Sequence, residues 1–239
     1  SARNNHADNG GVAYLETESL AGEQSLTVVN SDMGANTAGK GGLFYLISEA
    51  VSQFLNLTHN VMSLNLADNG GVASLQAGLD VKNQSVVLSD CKFDAHQGSS
   101  GGVIYMDAVS ATQSVVAEHC WAGFNKAIVG GVFYLNSQAG YQHVQLTSSN
   151  WIENEAEQDG GVGAFFALAT VLLDDSSLVL DNNTFQGNHV STGLGGVFYL
   201  KSGHHVSLKS NRWHNNSAIH GGHLWIELNG VTDSTASLT

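Results

Sequence analysis

The 239-residue sequence contains no proline, eight lysines and arginines together, and two cysteines. Flexible linkers and disordered tails ordinarily carry proline and more charge than this chain has, so no composition shift marks a domain boundary. The chain reads as one unit over 1–239. Its basic residues are few and unclustered against 21 acids, for a formal net charge of −13. A nucleic-acid groove needs a basic stripe that follows the phosphates, and none is present. No apolar run reaches the length of a membrane-spanning helix, so no membrane insertion is expected. Only Arg3 and Arg212 carry guanidinium groups.

Glycine, in contrast, is abundant and ordered. A Gly-Gly pair recurs at Gly10-Gly11, Gly41-Gly42, Gly70-Gly71, Gly101-Gly102, Gly130-Gly131, Gly160-Gly161, Gly195-Gly196 and Gly221-Gly222. The step is roughly 30 residues, a solenoid period. After each pair comes a short apolar run, such as Leu43-Phe44-Tyr45-Leu46 or Val132-Phe133-Tyr134-Leu135. These β-branched and aromatic residues suit strands. Because side chains alternate along a strand, Phe44 and Leu46 would face one way and Tyr45 the other.

A second alternating strand follows, at Leu26/Val28, Leu55/Leu57, Val86/Leu88, Val115/Ala117, Val144/Leu146, Leu178/Leu180 and Val206/Leu208. Seven residues after its first member stands a bulky side chain, except that Trp121 arrives one residue early. An asparagine often comes three residues later (Asn36, Asn65, Asn154, Asn188, Asn216). Helical repeats would instead show apolar residues at i, i+3, i+4 and i+7, and a propeller blade needs about 40 residues. The expected fold is all-β: a right-handed, single-stranded parallel β-helix of about eight rungs. Rungs stacked at the inter-strand spacing place equivalent residues above one another. Asparagines would then form ladders, and Gly-Gly a corner of unusual backbone conformation.

The repeat Phe185-Gln186-Gly187-Asn188…Gly195-Gly196-Val197-Phe198-Tyr199, and its relative Trp213-His214-Asn215-Asn216…Gly221-Gly222, resembles the polymorphic outer membrane protein repeat. More broadly it is similar to β-helical adhesin and autotransporter passenger domains. The resemblance implies a cell-surface or secreted β-helix with an adhesive or structural role.

Cys91 and Cys120 occupy one site in consecutive rungs, each five residues into its second strand and ten before a Gly-Gly. Neighbouring Cα atoms lie within disulfide range, so a Cys91–Cys120 bridge and an oxidising compartment are expected, with a pair of stacked reduced thiols as the alternative. Asn56, Asn83, Asn182 and Asn215 begin N-glycosylation sequons. Tyr14, Tyr45, Tyr105, Tyr134, Tyr199 and Trp225 form an outward aromatic stripe, which would stack on sugars, bury against a partner or pack under a loop.

Catalytic groupings are sparse. Asp174-Asp175 is the one tight carboxylate pair, on adjacent residues whose strand faces would oppose. Glu153, Glu155, Glu157 and Asp159 make an acidic patch that reads as a polar corner or a weak cation site. His214, His220 and His223 share a rung, but a metal would demand a specific bend. No cofactor, metal or catalytic constellation is assigned. Both chain ends fall inside a rung, as in a segment of a longer rod or a subunit covered by neighbours. The expectation is an extracellular or cell-surface structural or adhesive β-helix. Its partners would be copies of itself or flanking rungs end to end, with glycans or surface proteins alongside. A polysaccharide lyase or hydrolase, or a carbohydrate-binding module using the tyrosines, is the alternative.

Overall fold

The computed structural model describes residues 1–18, 22–138, 140–167, 176–201, 205–227 and 236–238. Among them there is no helix. Parallel strands stack into a β-solenoid of about seven turns, with about 29 residues per turn. Three eight-stranded parallel sheets run the length of the molecule. The tyrosine sheet follows Gly-Gly and runs from Ala13–Thr17 to Leu224–Glu227; the glutamine sheet runs from Glu23–Val29 to Ala236–Leu238. A third sheet of short strands, Ala2–Arg3 to Arg212–His214, was not separated from its corner in the sequence. It holds the bulky side chains: Met33, Met62, Phe93, Trp151 and Phe185 are buried.

The register is in phase throughout. Phe44 pairs with Ala73, Ile104 with Phe133, and Leu55 with Val86. Phe44, Leu46, Ile104, Met106, Phe133 and Leu135 all point into the core, as their alternation predicts. Trp121 breaks the pattern because its partner in register is Lys92, while Ala122 stands beneath Phe93. The indole therefore turns outward, under the Lys92 ammonium 4.8 Å from its ring centroid. In the next rung Trp151 is inward and meets Phe133 edge-on at 5.3 Å.

Every rung turns at three left-handed corners. One precedes the third sheet (Asn30, His59, Asp90, His119, Ser148, Asn182, Ser210). A second follows it (Asn4, Ala35, Leu64, Ala95, Phe124, Glu153, Gly187, Asn215). The third is the first glycine of each pair, with φ from 56° to 66°. A side chain at that glycine would also strike the carbonyl three residues on, as a Cβ at Gly41 would lie 1.8 Å from Phe44 O. The second glycine is excluded for another reason: the rungs approach too closely, and a Cβ on Gly42 would sit 2.1 Å from Gly71 O.

Three columns of buried polar side chains bind rung to rung. In the first, Asn36 gives its backbone N–H and its Nδ2 to Asn65 Oδ1, at 3.0 and 2.9 Å. Asn125, Asn154 and Asn188 repeat both bonds, and Nδ2 also reaches a carbonyl of the preceding rung. The expected asparagine ladder is thus present, with His96 in place of one asparagine. The second column runs beside the third sheet through Asn60, Cys91, Cys120, Ser149, Asn183 and Asn211.

The third column is Gln24, Gln53, Gln84, Gln113 and Gln142, in which each Nε2 donates to Oε1 of the rung before at 2.8–2.9 Å. The column stops at Gln142, where the next rung offers Ser176; Gln142 Oε1 is buried without a partner. A buried amide with one partner removed costs about 1–3 kcal/mol. Gln84→Leu, which strands the Gln53 Oε1 acceptor and takes one acceptor from Gln113 Nε2, is therefore expected to lose at least about 1 kcal/mol of stability in chemical denaturation. A loss below about 0.5 kcal/mol would show that the column contributes little.

Candidate functional site

The sequence singles out the outer face of the tyrosine sheet. Each aromatic follows Gly-Gly by three residues and points away from the core. In-register stacking sets successive rings about 5 Å apart. Tyr14 and Tyr45 stack at 5.3 Å and 19°, and Tyr105 and Tyr134 at 5.2 Å and 6°. Ser74 interrupts the row. At the sixth rung Ala164 lacks a ring, and Phe166 fills in from the neighbouring column, 5.3 Å from Tyr134 and 5.4 Å from Tyr199.

The stripe is largely covered along its length. Tyr14 is 46% exposed, but Tyr45 and Tyr199 are each 4% exposed; Tyr105, Tyr134 and Trp225 are half-buried. Face-to-face stacking along the axis spends the ring faces on one another, leaving mainly edges for a ligand. At two rungs the residue before Gly-Gly adds cover from across the corner. Lys40 lies over Tyr45, 5.2 Å from its centroid, and the His220 ring lies 5.9 Å from Trp225.

The hydroxyls are engaged too, by a side chain of the neighbouring outer column, in the same rung for Tyr14 and in the following rung for Tyr45 and Tyr199. Tyr14 Oη donates to Glu16 Oε2 at 2.6 Å, Tyr45 Oη to Gln76 Oε1 at 2.6 Å, and Tyr199 Oη to Glu227 Oε2 at 2.5 Å. Burial, with Asp107 and Tyr134 nearby, pushes the Tyr105 phenol well above its ordinary range; burial and the Glu227 carboxylate do the same to Tyr199.

The polar groups draw closest over the last three rungs. Lys201 Nζ lies 4.0 Å from Glu227 Oε1. Asp159 Oδ1 accepts the Leu194 N–H at 3.1 Å, and burial, aided by the Glu227 charge, raises its carboxyl above the usual range. Asp159 also borders an open depression with Gln158, Thr192, Gly193, Leu194 and His220. Trp225 Nε1 beside it is buried without a partner among the described residues. The notable chemistry is thus a carboxyl whose pKa burial raises, near a carboxylate, a phenol and an ammonium. The sequence did not single out Glu227 or Lys201. Their signal was position: each stands two residues past an aromatic of the stripe.

The other candidates fall elsewhere. Asp174-Asp175 lies outside the described residues. Glu153 occupies a left-handed corner; Glu155 and Glu157 line a separate groove, where Glu155 pairs with Lys126 at 2.7 Å. The three histidines of the last rung do not converge. His223 packs on Trp213 at 5.3 Å and His220 on Trp225, and among the described residues no three His, Cys, Asp or Glu side chains could hold a metal. Asn83, Asn182 and Asn215 are exposed. Asn56 is half-buried in mid-strand, and its Oδ1 accepts the Thr58 hydroxyl at 3.1 Å.

Cys91 and Cys120 do stand at one site in adjacent rungs, but the expected bridge is not formed: both are buried free thiols. Stacked residues present their side chains side by side, whereas a disulfide needs them to cross with a dihedral near 90°. Each thiol takes the role of a ladder asparagine instead. Cys91 Sγ donates to Leu57 O at 3.2 Å and Cys120 Sγ to Leu88 O at 3.6 Å. The two sulfurs also interact across the rungs, which lowers the Cys91 pKa and raises that of Cys120. Denaturing the purified protein without reductant should therefore release two titratable thiols per chain. Fewer than one would restore the bridge.

No family model, no curated protein and no solved structure matches this chain.

Proposed function

We propose that this chain is a structural or adhesive β-helix acting outside the cell or on its surface, as a segment of a rod. The observation that carries this reading is the run of buried polar side chains that joins rung to rung, the asparagine column with His96 in one place and the glutamine column as far as Gln142. The repeating chemistry of each rung, Asn, Gln, Gly-Gly and the inward apolar residues, is spent on locking that rung to the next. The resemblance of the repeats to polymorphic outer membrane proteins and autotransporter passengers supports it. A further rung, from a copy of the chain or a flanking segment, would add through the same hydrogen bonds. Glycans and surface proteins are the lateral partners this reading implies.

A second reading has one observation in its favour. Asp159 and Glu227, with Tyr199 and Lys201, have the makings of an acid–base pair for a polysaccharide. One experiment separates the two. Beads coated with the protein are tested for adhesion to panels of surface proteins and glycans, and the soluble protein is tested for release of reducing ends or unsaturated products from polysaccharides. Adhesion without turnover supports the rod. Turnover abolished by Asp159→Asn or Glu227→Gln would replace it with an enzyme.

A further inference from the structure

The chain has only two cysteines, and they stand in adjacent rungs at one position of the second column. The rungs on either side fill that position with Asn60 and Ser149. Their side-chain oxygens accept a backbone N–H from the rung before, of Ser31 and of Cys120. The two sulfurs take over this acceptor place, with the Asn60 N–H directed at Cys91 and the Cys91 N–H at Cys120. A thiol sulfur is a weak acceptor; ionised, it accepts more strongly. The surroundings therefore favour thiolates. The interaction with Cys120, and then the Asn60 N–H, draws the Cys91 pKa down against the effect of burial.

The rung spacing suits a bridge through a third atom. Stacked positions are about 4.8 Å apart, whereas the sulfurs of a disulfide are about 2.05 Å apart. Direct pairing would pull the sulfurs together by more than half a rung step. Two metal–thiolate bonds of about 2.3 Å in a straight line span about 4.6 Å, which leaves the rungs where they are. The number of ligands narrows the ion. The other polar atoms around the sulfurs are carbonyl oxygens, of Leu57 and Ser89 at Cys91 and of Leu88 and Glu118 at Cys120, and the Asn60 amide 4.0 Å from Cys91 Sγ. Among the described residues no three His, Cys, Asp or Glu side chains could hold a metal, so zinc and iron–sulfur clusters lack their four ligands. Monovalent copper is soft, prefers thiolates and is satisfied by two of them in line. Cys91 also lines a depression of about 500 Å³ bordered by His59, Asp90 and His119, so the pair is approached from one side.

We propose that Cys91 and Cys120 form a two-coordinate site for monovalent copper. Binding exchanges two protons for one ion. Both thiols release their protons to solvent, two sulfur–copper bonds form, and no electron is transferred. The bridged pair carries one net negative charge, which the two backbone N–H groups face. The site is independent of whether the rod is adhesive.

The test uses the purified, reduced chain without oxygen. Copper(I) is supplied as its complex with bicinchoninate, whose colour fades as the ion leaves it. The wild type is expected to take up one copper per chain, and saturation should raise its melting temperature. Cys91→Ser and Cys120→Ser should each bind at least about 100-fold more weakly. Both should fold, since Ser149 already holds this column position in the next rung; circular dichroism checks it. His59→Ala/His119→Ala should keep its affinity within about threefold. X-ray absorption of the loaded wild type, which needs no variant, should show two sulfur ligands. No transfer of copper, two coppers per chain, or unchanged affinity in a folded serine variant would overturn the site. So would a third ligand in the absorption spectrum, or a large loss of affinity in the histidine variant, which would place the ion at the rim.

Discussion

Gly102→Ala is expected to cost about 4 kcal/mol or more, the large end of single-substitution effects. The added methyl would lie 2.2 Å from Gly131 O and 2.9 Å from Lys126 O, both backbone atoms of the adjoining rung. Neither can move without opening hydrogen bonds: Gly102 N donates to Gly130 O at 3.1 Å, and Val103 N to Val132 O at 3.0 Å. The clash sits in the middle of the stack, where no free end can take it up. Chemical denaturation should show the midpoint collapse, or the variant should fail to fold in cells that produce the wild type. Gly187→Asn is the control. Its corner has φ 65°, the nearest atom to an added Cβ is the flexible Glu153 Cγ at 3.0 Å, and asparagine holds this corner in other rungs. It should change stability by less than about 1 kcal/mol. A loss below about 1 kcal/mol for Gly102→Ala would mean that the rungs are not in the close contact described.

Acidification supplies the second large effect, through His96. This residue fills an asparagine position in the first ladder. The Asn65 N–H donates to its Nδ1 at 3.1 Å, so the ring proton belongs on Nε2, which is buried without a partner. Burial holds the imidazole neutral, lowering its pKa from 6.5 to about 3. The unfolded chain binds a proton at higher pH than the folded chain. Stability is therefore fully present above about pH 6.5 and declines as the pH falls from there towards 3. At pH 5 about 1.5 units of that window have been crossed, or about 2 kcal/mol. Carboxylates add their own pH dependence, so the readout is a difference. His96→Asn, which restores the ladder amide, should be more stable than wild type at pH 7.5. Its advantage should widen by about 2 kcal/mol at pH 5. A constant advantage across that range would mean that His96 does not titrate as a buried group.

Much of this architecture was legible because stacking turns sequence phase into spatial position. Eight Gly-Gly pairs fixed the rung, alternation after them fixed which face of Phe44-Tyr45-Leu46 is buried, and common offsets placed Cys91 and Cys120 at one site. The glutamine column had an equally regular signal. Gln24, Gln53, Gln84, Gln113 and Gln142 each stand two residues before the alternating pair of a second strand. It was passed over because glutamine in an isolated strand normally faces water; only its stacked partners make burial tolerable. The left-handed corners at Leu64 and Phe124 run against local propensity and are imposed by the neighbouring rungs. The covering of the tyrosine face was left open for a related reason. Alternation gives a side chain's direction, not what comes to lie on it. Lys40 and His220 arrive from across the glycine corner, and Phe166 from the next column.

The amide columns also set the electrical character of the rod. In the first asparagine column, His96 apart, one N–H of the side-chain amide is given to the amide oxygen of the following rung, so the amide-to-amide bonds all run in one direction along the axis. In the glutamine column the sense is reversed. Stacked amides pointing one way add into a field along the axis, as peptide dipoles do in a helix. Over the first five rungs the two columns oppose each other and their axial fields partly cancel. Beyond Gln142 the glutamine column is gone and the asparagine column is uncompensated by it. The two halves of the solenoid, built on one repeat, thus differ in polarity along the axis.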